Sequence, residues 1–280
     1  MEKILDEIKK YGLTDANVSL IREKDGVTVA RVRAGEASYI IKLFNEGVSS
    51  REIENYRILA SLGVPTLRLF GSRERSLLME DIEASPMLRL GTEGDMNDPE
   101  VVRSLAKWYR ALHGRGEEYV RLHGGGMYDE WDMFTLENID MIGERLGADC
   151  ERAVSEMKKR FPELRSRMDT AGKTLCYNDF YYTNMAVCRD GSDALMFDYN
   201  LLGKGCYVND LLNVTYWFSK ENTELFLREY GGADAELMRL ARRITPVISL
   251  VSALQRGIFP AWAEEAKREL IRNAEFGMRN

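Results

Sequence analysis

The hydrophobic pattern divides this chain into a strand-rich first part and a helix-rich remainder, and that division limits the fold more than any other feature. From Asn17 to Phe44, and again from Thr66 to Ile82, apolar and polar residues tend to alternate, the period of a strand with one buried face. Beyond Ala84-Ser85-Pro86 apolar residues recur every three to four positions, the period of helices. Strands gathered at one end of a sequence and helices at the other predict an α+β protein, because segregated elements pack as separate layers. Within the first region VSLI, VTVARVR and SYIIKLF are joined by Lys24-Asp25-Gly26 and Ala34-Gly35-Glu36. Asp-Gly and Gly-Glu between β-branched runs signal hairpins, so three antiparallel strands are expected there.

Ile4, Leu5, Ile8 and Tyr11 mark a short amphipathic helix before these strands, and Ser49 to Leu62 reads as a second helix with Ser49 or Ser50 as its N-cap. Gly63 ends that helix and Pro65 prevents its resumption. TLRLFGS and SLLMEDI then supply two more strands, which closes a small lobe over residues 1–82. The remaining residues, 83–280, form a larger helical lobe, with helices expected over Pro99–His113, Met133–Leu146, Asp149–Ala171, Asp210–Tyr230, Asp234–Arg256 and Ala261–Asn280. One segment interrupts it: TLCY, MAVC and ALMF, between Thr174 and Phe197, are short strands joined by polar loops. Loops on such strands are where rigid scaffolds present catalytic groups.

Composition narrows the function. Of 280 residues 45% are hydrophobic, enough to bury a core and incompatible with a disordered chain. Lys and Arg total 39 against 45 Asp and Glu, a net charge of −6, which argues against a nucleic-acid partner and suits neutral or cationic small molecules. No apolar run approaches the roughly 20 residues of a membrane helix. The opening MEKILDEIKKYG carries acids that a signal peptide lacks, so a cytoplasmic location without membrane association is expected. Cys150, Cys176, Cys188 and Cys206 lack metal-ligand spacing and are expected as reduced thiols.

The interrupted segment carries the chemistry. Asp179 is followed five positions on by Asn184, and the next strand leads to Asp198, so two carboxylates and an amide can converge at one end of a hairpin. Such oxygens are the hard ligands that Mg²⁺ prefers. Lys42 lies among apolar neighbours in SYIIKLF, where an ammonium is costly unless paired, and Glu52 in the next helix is the evident partner. A site for phosphoryl transfer needs these parts: a group to orient the attacking hydroxyl, oxygen ligands and a cation for the phosphates.

The order of parts resembles the aminoglycoside phosphotransferase and choline kinase group of the protein-kinase-like fold. The resemblance covers residues 17–218 and implies a bilobal fold, with a small antiparallel-sheet N-lobe that binds nucleotide and a larger helical C-lobe that carries the catalytic loop and acceptor site. It implies Asp179 as catalytic base, Asn184 and Asp198 as Mg²⁺ ligands, Lys42 on the α- and β-phosphates and Glu52 bracing Lys42. The run over residues 77–82 matches the linker that holds the base of ATP (or GTP), at Glu80 and Ile82; LAKWYRALH resembles a helix ending in Leu-His, and Asp210 the acid that supports the catalytic loop. The implied reaction is transfer of a γ-phosphoryl to a hydroxyl of a small, amine-bearing acceptor such as an aminoglycoside or amino alcohol, or a sugar.

The chain departs from the family at three places. Tyr177-Asn178-Asp179 replaces the usual His-Gly-Asp, Asn200 stands where an acid often follows Asp198, and no Gly-rich phosphate loop joins the first strands. The first two leave a catalytically inactive nucleotide-binding module as the alternative; the third, with no DFG or APE string, disfavours a protein kinase. Outside the resemblance, His113 reads as a partner of a helix C-terminus, His123 as solvated and Gly124-Gly125-Gly126 as a flexible loop. Trp131, among acids, offers either a core ring or a box for a cationic substrate, and Glu264 and Glu265 either a solvated helix face or contacts to amines.

Overall fold

A computed structural model describes residues 2–257 and 259–276. Helix α1 (Glu2–Lys9) precedes β1 (Asn17–Lys24), β2 (Val27–Ala34) and β3 (Ala37–Phe44); α2 (Arg51–Ser61), β4 (Leu69–Arg73) and β5 (Ser76–Glu80) follow. These five strands form one antiparallel sheet in the order β1-β2-β3-β5-β4. Asp25 and Gly26 have φ of 52° and 74°, the left-handed pair that a tight Asp-Gly hairpin needs.

Register assigns the two faces of the sheet. Ala30 pairs with Ile41 and Ile41 with Leu78, and this row packs with Ile4, Ile8 and Val32, so α1 covers one face. Val29 pairs with Lys42 and Lys42 with Leu77, so the intervening residues occupy the other face, where Lys42 has α2 as its neighbour. A side-chain period of two makes this choice binary: a slip of one residue would exchange Lys42 for Ile41.

Next come β6 (Leu88–Leu90), α3 (Pro99–His123), α4 (Leu136–Leu146), α5 (Glu151–Thr170) and β7 (Thr174–Cys176). The chain ends with β8 (Met185–Cys188), β9 (Ala194–Met196), β10 (Gly203–Gly205), α6 (Val208–Thr215), α7 (Lys220–Tyr230), α8 (Ala235–Gln255) and α9 (Ala261–Phe276). The last helix was expected to run to Asn280; residues 277–280 lie outside those described. Two compact units result, each discontinuous in sequence. The first holds residues 1–115, 179–202 and 217–231, hence the sheet, the three-stranded β6-β8-β9 sheet and α7. The second holds residues 116–178, 203–216 and 232–280, in which α8 packs against α9, α4 and α6, and β7 pairs with β10. None of the described helices is long and apolar enough to cross a membrane.

Three expectations need correction. Helix α3 does not stop at His113 but runs to His123, because Gly116 lets the helix approach β7: a Cβ there would lie 2.6 Å from the Cβ of Leu175. His113 is therefore no C-terminal cap; its Nδ1 lies 3.0 Å from the Tyr230 hydroxyl inside the first unit. The helix expected over Asp210–Tyr230 breaks into α6 and α7, with Ser219 capping α7 by accepting from Asn222 N. Of the two readings of Trp131 the core ring holds: it is buried, with Lys173 over its ring 6.0 Å from the centroid. The four thiols are free, and Glu265 pairs with Arg268 and Arg272 on the surface of α9.

Candidate active site

Lys42, Glu52, Glu80, Ile82, Asp179, Asn184 and Asp198 all fall in the first unit, although they span positions 42 to 198. Lys42 leaves the middle of β3, 8% exposed, and Glu52 the first turn of α2, 1% exposed. The Lys42 Nζ lies 2.5 Å from Glu52 Oε2 and donates to Asp198 Oδ1 at 2.9 Å. Burial pushes the Glu52 carboxyl up to about 7 even with Lys42 beside it, and the Asp198 charge adds to that rise. Burial alone would lower the Lys42 ammonium, but the two carboxylates outweigh it and hold it above its ordinary value. The lysine is thus a firmly charged cation between an acid that titrates near neutrality and Asp198.

Asp198 follows β9 with φ of 61°, a left-handed conformation that Asp tolerates better than most residues. Its segment is tied to α2 at further points: Asn55 Nδ2 donates to Tyr199 O at 2.7 Å, Arg51 donates to Asn200 O, and the Tyr56 and Tyr199 rings meet edge to face at 4.7 Å. Asn200, at the position where an acid was anticipated, donates its amide to Asp198 Oδ1 at 3.2 Å.

Asp179 and Asn184 are held differently. Asn184 Nδ2 donates to the backbone carbonyl of Asp179 at 3.2 Å, and Phe197 N donates to Asn184 O at 2.9 Å, one residue before Asp198. Both side chains are half-buried. In the second unit Asp210, 1% exposed, accepts from Tyr177 N at 2.7 Å through one oxygen and from Asn178 N at 2.8 Å through the other. Asn178, immediately before Asp179, has φ of 63°. The family's glycine occupies a position that here requires left-handed backbone, which is why Asn can replace it.

A cavity of about 200 Å³ in the first unit joins most of these parts. Val29, Ile40, Leu67, Met79, Ile82 and Phe197 give it apolar walls; Lys42, Glu52 and Asp198 form one end, and Glu80, Asp81 and Glu83 of the linker another. Ile82 also packs with Leu67 and Ala186, which anchors the linker on the β8 hairpin. Asp179 and Asn184 are not among the lining residues. Sequence reasoning missed Arg31 of β2, which reaches the same cavity and bonds Asp81. Its signal was present: Arg31 shares the inward row of Val29, where an alternating strand would otherwise place an apolar residue.

The profile of the phosphotransferase enzyme family matches residues 21–244. No curated protein matches the sequence. A choline kinase from Streptococcus pneumoniae superposes with a TM-score of 0.69 at 17% identity, over 98% of this chain and 99% of that one. A macrolide 2'-phosphotransferase from Brachybacterium faecium gives 0.62 at 18% identity over 97% and 98%. A spectinomycin phosphotransferase solved with ADP and spectinomycin gives 0.61 at 15% over 98% and 97%. These likenesses establish the kinase-like α+β fold, and the profile match over most of the length establishes more: the chain belongs to the phosphotransferase enzyme family.

Proposed function

We propose that this protein transfers the γ-phosphoryl group of ATP, or GTP, to a hydroxyl of a small amine-bearing molecule. The observation that carries the reading is the buried Lys42, held between Glu52 and Asp198 at the polar end of an apolar cavity. A planar base suits the apolar walls and the linker backbone at Glu80 and Ile82, and the phosphates suit Lys42. Residues 1–82 then serve as the nucleotide-binding lobe and residues 83–280 supply the catalytic loop and acceptor site.

The donor set fits Mg²⁺: a half-buried carboxylate at Asp198 and an amide at Asn184, both hard oxygen ligands, next to a cation that already offsets one charge. When bound, Mg²⁺ would neutralise charge on the phosphates. Lys42 orients the α- and β-phosphates, and Glu52 keeps Lys42 from folding back onto the sheet. Asp179 accepts the proton of the attacking hydroxyl and aligns that oxygen with the γ-phosphorus. Asn184 holds the Asp179 backbone, and Asp210 holds the two residues before it. Catalysis by these residues is chiefly positioning and electrostatics.

An amine-bearing acceptor is supported by the net charge of −6 and by surroundings close to Asp179. Tyr181, Tyr182 and Trp217 group their rings with centroids 4.6 to 5.2 Å apart, and the Glu93 charge acts on the Tyr182 phenol. Aromatic faces with a carboxylate nearby favour a cation. Solved structures with this fold include a choline kinase and a spectinomycin phosphotransferase, and choline and spectinomycin both carry cationic nitrogen at neutral pH.

The test is ADP and GDP release with Mg²⁺ against pooled aminoglycosides, amino alcohols and sugars, with Asp179→Asn as control. Release stimulated by an amine-bearing pool and lost in the variant is expected. Stimulation by neutral sugars alone would overturn the amine assignment. Nucleotide binding without release on any pool would favour the inactive module.

A further inference from the structure

The linker after β5 has no regular backbone pairing to hold it. The β3 ladder ends at the Tyr39–Glu80 pair, and Asp81 and Ile82 follow outside any strand, leading into a turn in which Ala84 N donates to Asp81 O and Ser85 N to Ile82 O. What fixes this stretch from the sheet side is one side chain. Asp81, 3% exposed, accepts from Arg31 Nε at 2.6 Å and Nη2 at 3.1 Å and from Ser38 Oγ at 2.6 Å. The same Nη2 donates to Glu83 Oε2 at 2.6 Å. Arg31 therefore joins the inward face of β2 to Asp81 and Glu83 of the linker.

We propose that Arg31, acting through Asp81, is a positioning residue for the donor nucleotide: it sets the linker backbone at Glu80 and Ile82 at the height of the base. The inference rests on the nucleotide reading of the cavity. Its physical basis is that a bidentate guanidinium–carboxylate pair fixes orientation as well as distance. Asp81 lies between the two residues assigned to the base, so its pinned side chain restricts the peptide planes on both sides. Apolar walls alone would let a flat ring slide; a fixed linker gives it one register. The phosphate end, around Lys42, does not share this tether.

That separation supplies the experiment. Binding of ADP and of inorganic tripolyphosphate, each with Mg²⁺, is titrated on wild type, Arg31→Met, Arg31→Lys and Ser38→Ala, with melting temperature measured alongside. Arg31→Met is expected to weaken ADP by about tenfold or more while tripolyphosphate changes less than twofold. Arg31→Lys, which keeps the charge but not the fork, falls between wild type and Arg31→Met for ADP. Ser38→Ala removes one bond to Asp81, leaves the ion pair and still weakens ADP selectively, so the proposal stays testable should Arg31→Met fail to fold. Equal losses for ADP and tripolyphosphate, or ADP binding unchanged in folded Arg31→Met or Ser38→Ala, would overturn the inference and spare the nucleotide reading. Wild type that binds tripolyphosphate but not ADP would overturn both.

Discussion

The two halves of the candidate site are held by different means. Around Lys42 the parts are side chains locked to one another: an ammonium and two carboxylates, two of the three nearly inaccessible, in a cavity with apolar walls. Around Asp179 the parts are backbone groups: Asn184 bonds a carbonyl, Asp210 bonds two amides, and the Asp179 carboxyl itself is half-buried. Removing one member of the first set strands a charge in a medium that solvates it poorly. Changing the Asp179 side chain leaves its supports in place. The first half therefore couples function to stability, whereas the second separates them.

The largest effect tests that separation. Asp179→Asn is expected to lower turnover about 10²- to 10⁴-fold while moving stability by less than about 0.5 kcal/mol, as steady-state rates and urea melts would show. A stability loss that scales with the rate loss would erase the contrast.

Lys42→Met should do the opposite and cost about 3–5 kcal/mol as well as activity. Its pH dependence sharpens the point. Glu52 has a folded value raised from 4.5 to about 7, so it contributes stability that is fully present below 4.5 and is lost as pH rises through 7. Without the lysine Glu52 stays protonated to higher pH, so the deficit of Lys42→Met relative to wild type should be flat between pH 5 and 6.5 and widen above about 7. For Glu52→Gln the sign reverses, and the stability of wild type relative to this variant should shrink between about pH 4.5 and 7. Urea unfolding at a series of pH values reads both.

Smaller effects are expected where backbone groups are supported. Asp210→Ala leaves two buried amides unpaired and should cost about 1–3 kcal/mol, with a fall in turnover and little change in nucleotide affinity. Smallest is Asn178: Gly relieves the left-handed φ and should change stability by less than about 0.5 kcal/mol, while Ala should cost about 1–2 kcal/mol. A tolerated Ala in thermal melts would show that Asp210 does not fix that turn.

The same contrast decides what could be read in the sequence. Lys42 was legible because an ammonium among Ile40, Ile41, Leu43 and Phe44 demands a counter-charge, and Glu52 lay within reach in chain order. The five strands, the Asp-Gly turn and the Asp179–Asn184 spacing were equally local. Arg31 escaped because an arginine in a strand reads as solvated until its partner, 50 residues on, is known. Two three-residue strands, β6 and β10, escaped for a similar reason: Gly203-Lys204-Gly205 has no strand propensity and pairs with β7 only through tertiary context. Helix α3 was expected to end at His113, yet it continues past Gly116, where the missing side chain permits close packing on β7.

The first unit is visited three times by the chain, and that fixes an order of assembly during synthesis. When residue 115 has emerged the five-stranded sheet, α1 and α2 are all available, yet Asp198, 156 positions beyond Lys42, has not been made. A nascent chain at that length carries an ammonium with one partner instead of two, and a cavity wall of Val29 and Ile40 that Phe197 has not yet joined. It is the stretch from 179 to 202 that closes both accounts at once. Ribosome stalling or truncation between residues 115 and 198 leaves an open apolar sheet face, the kind of surface chaperones retain.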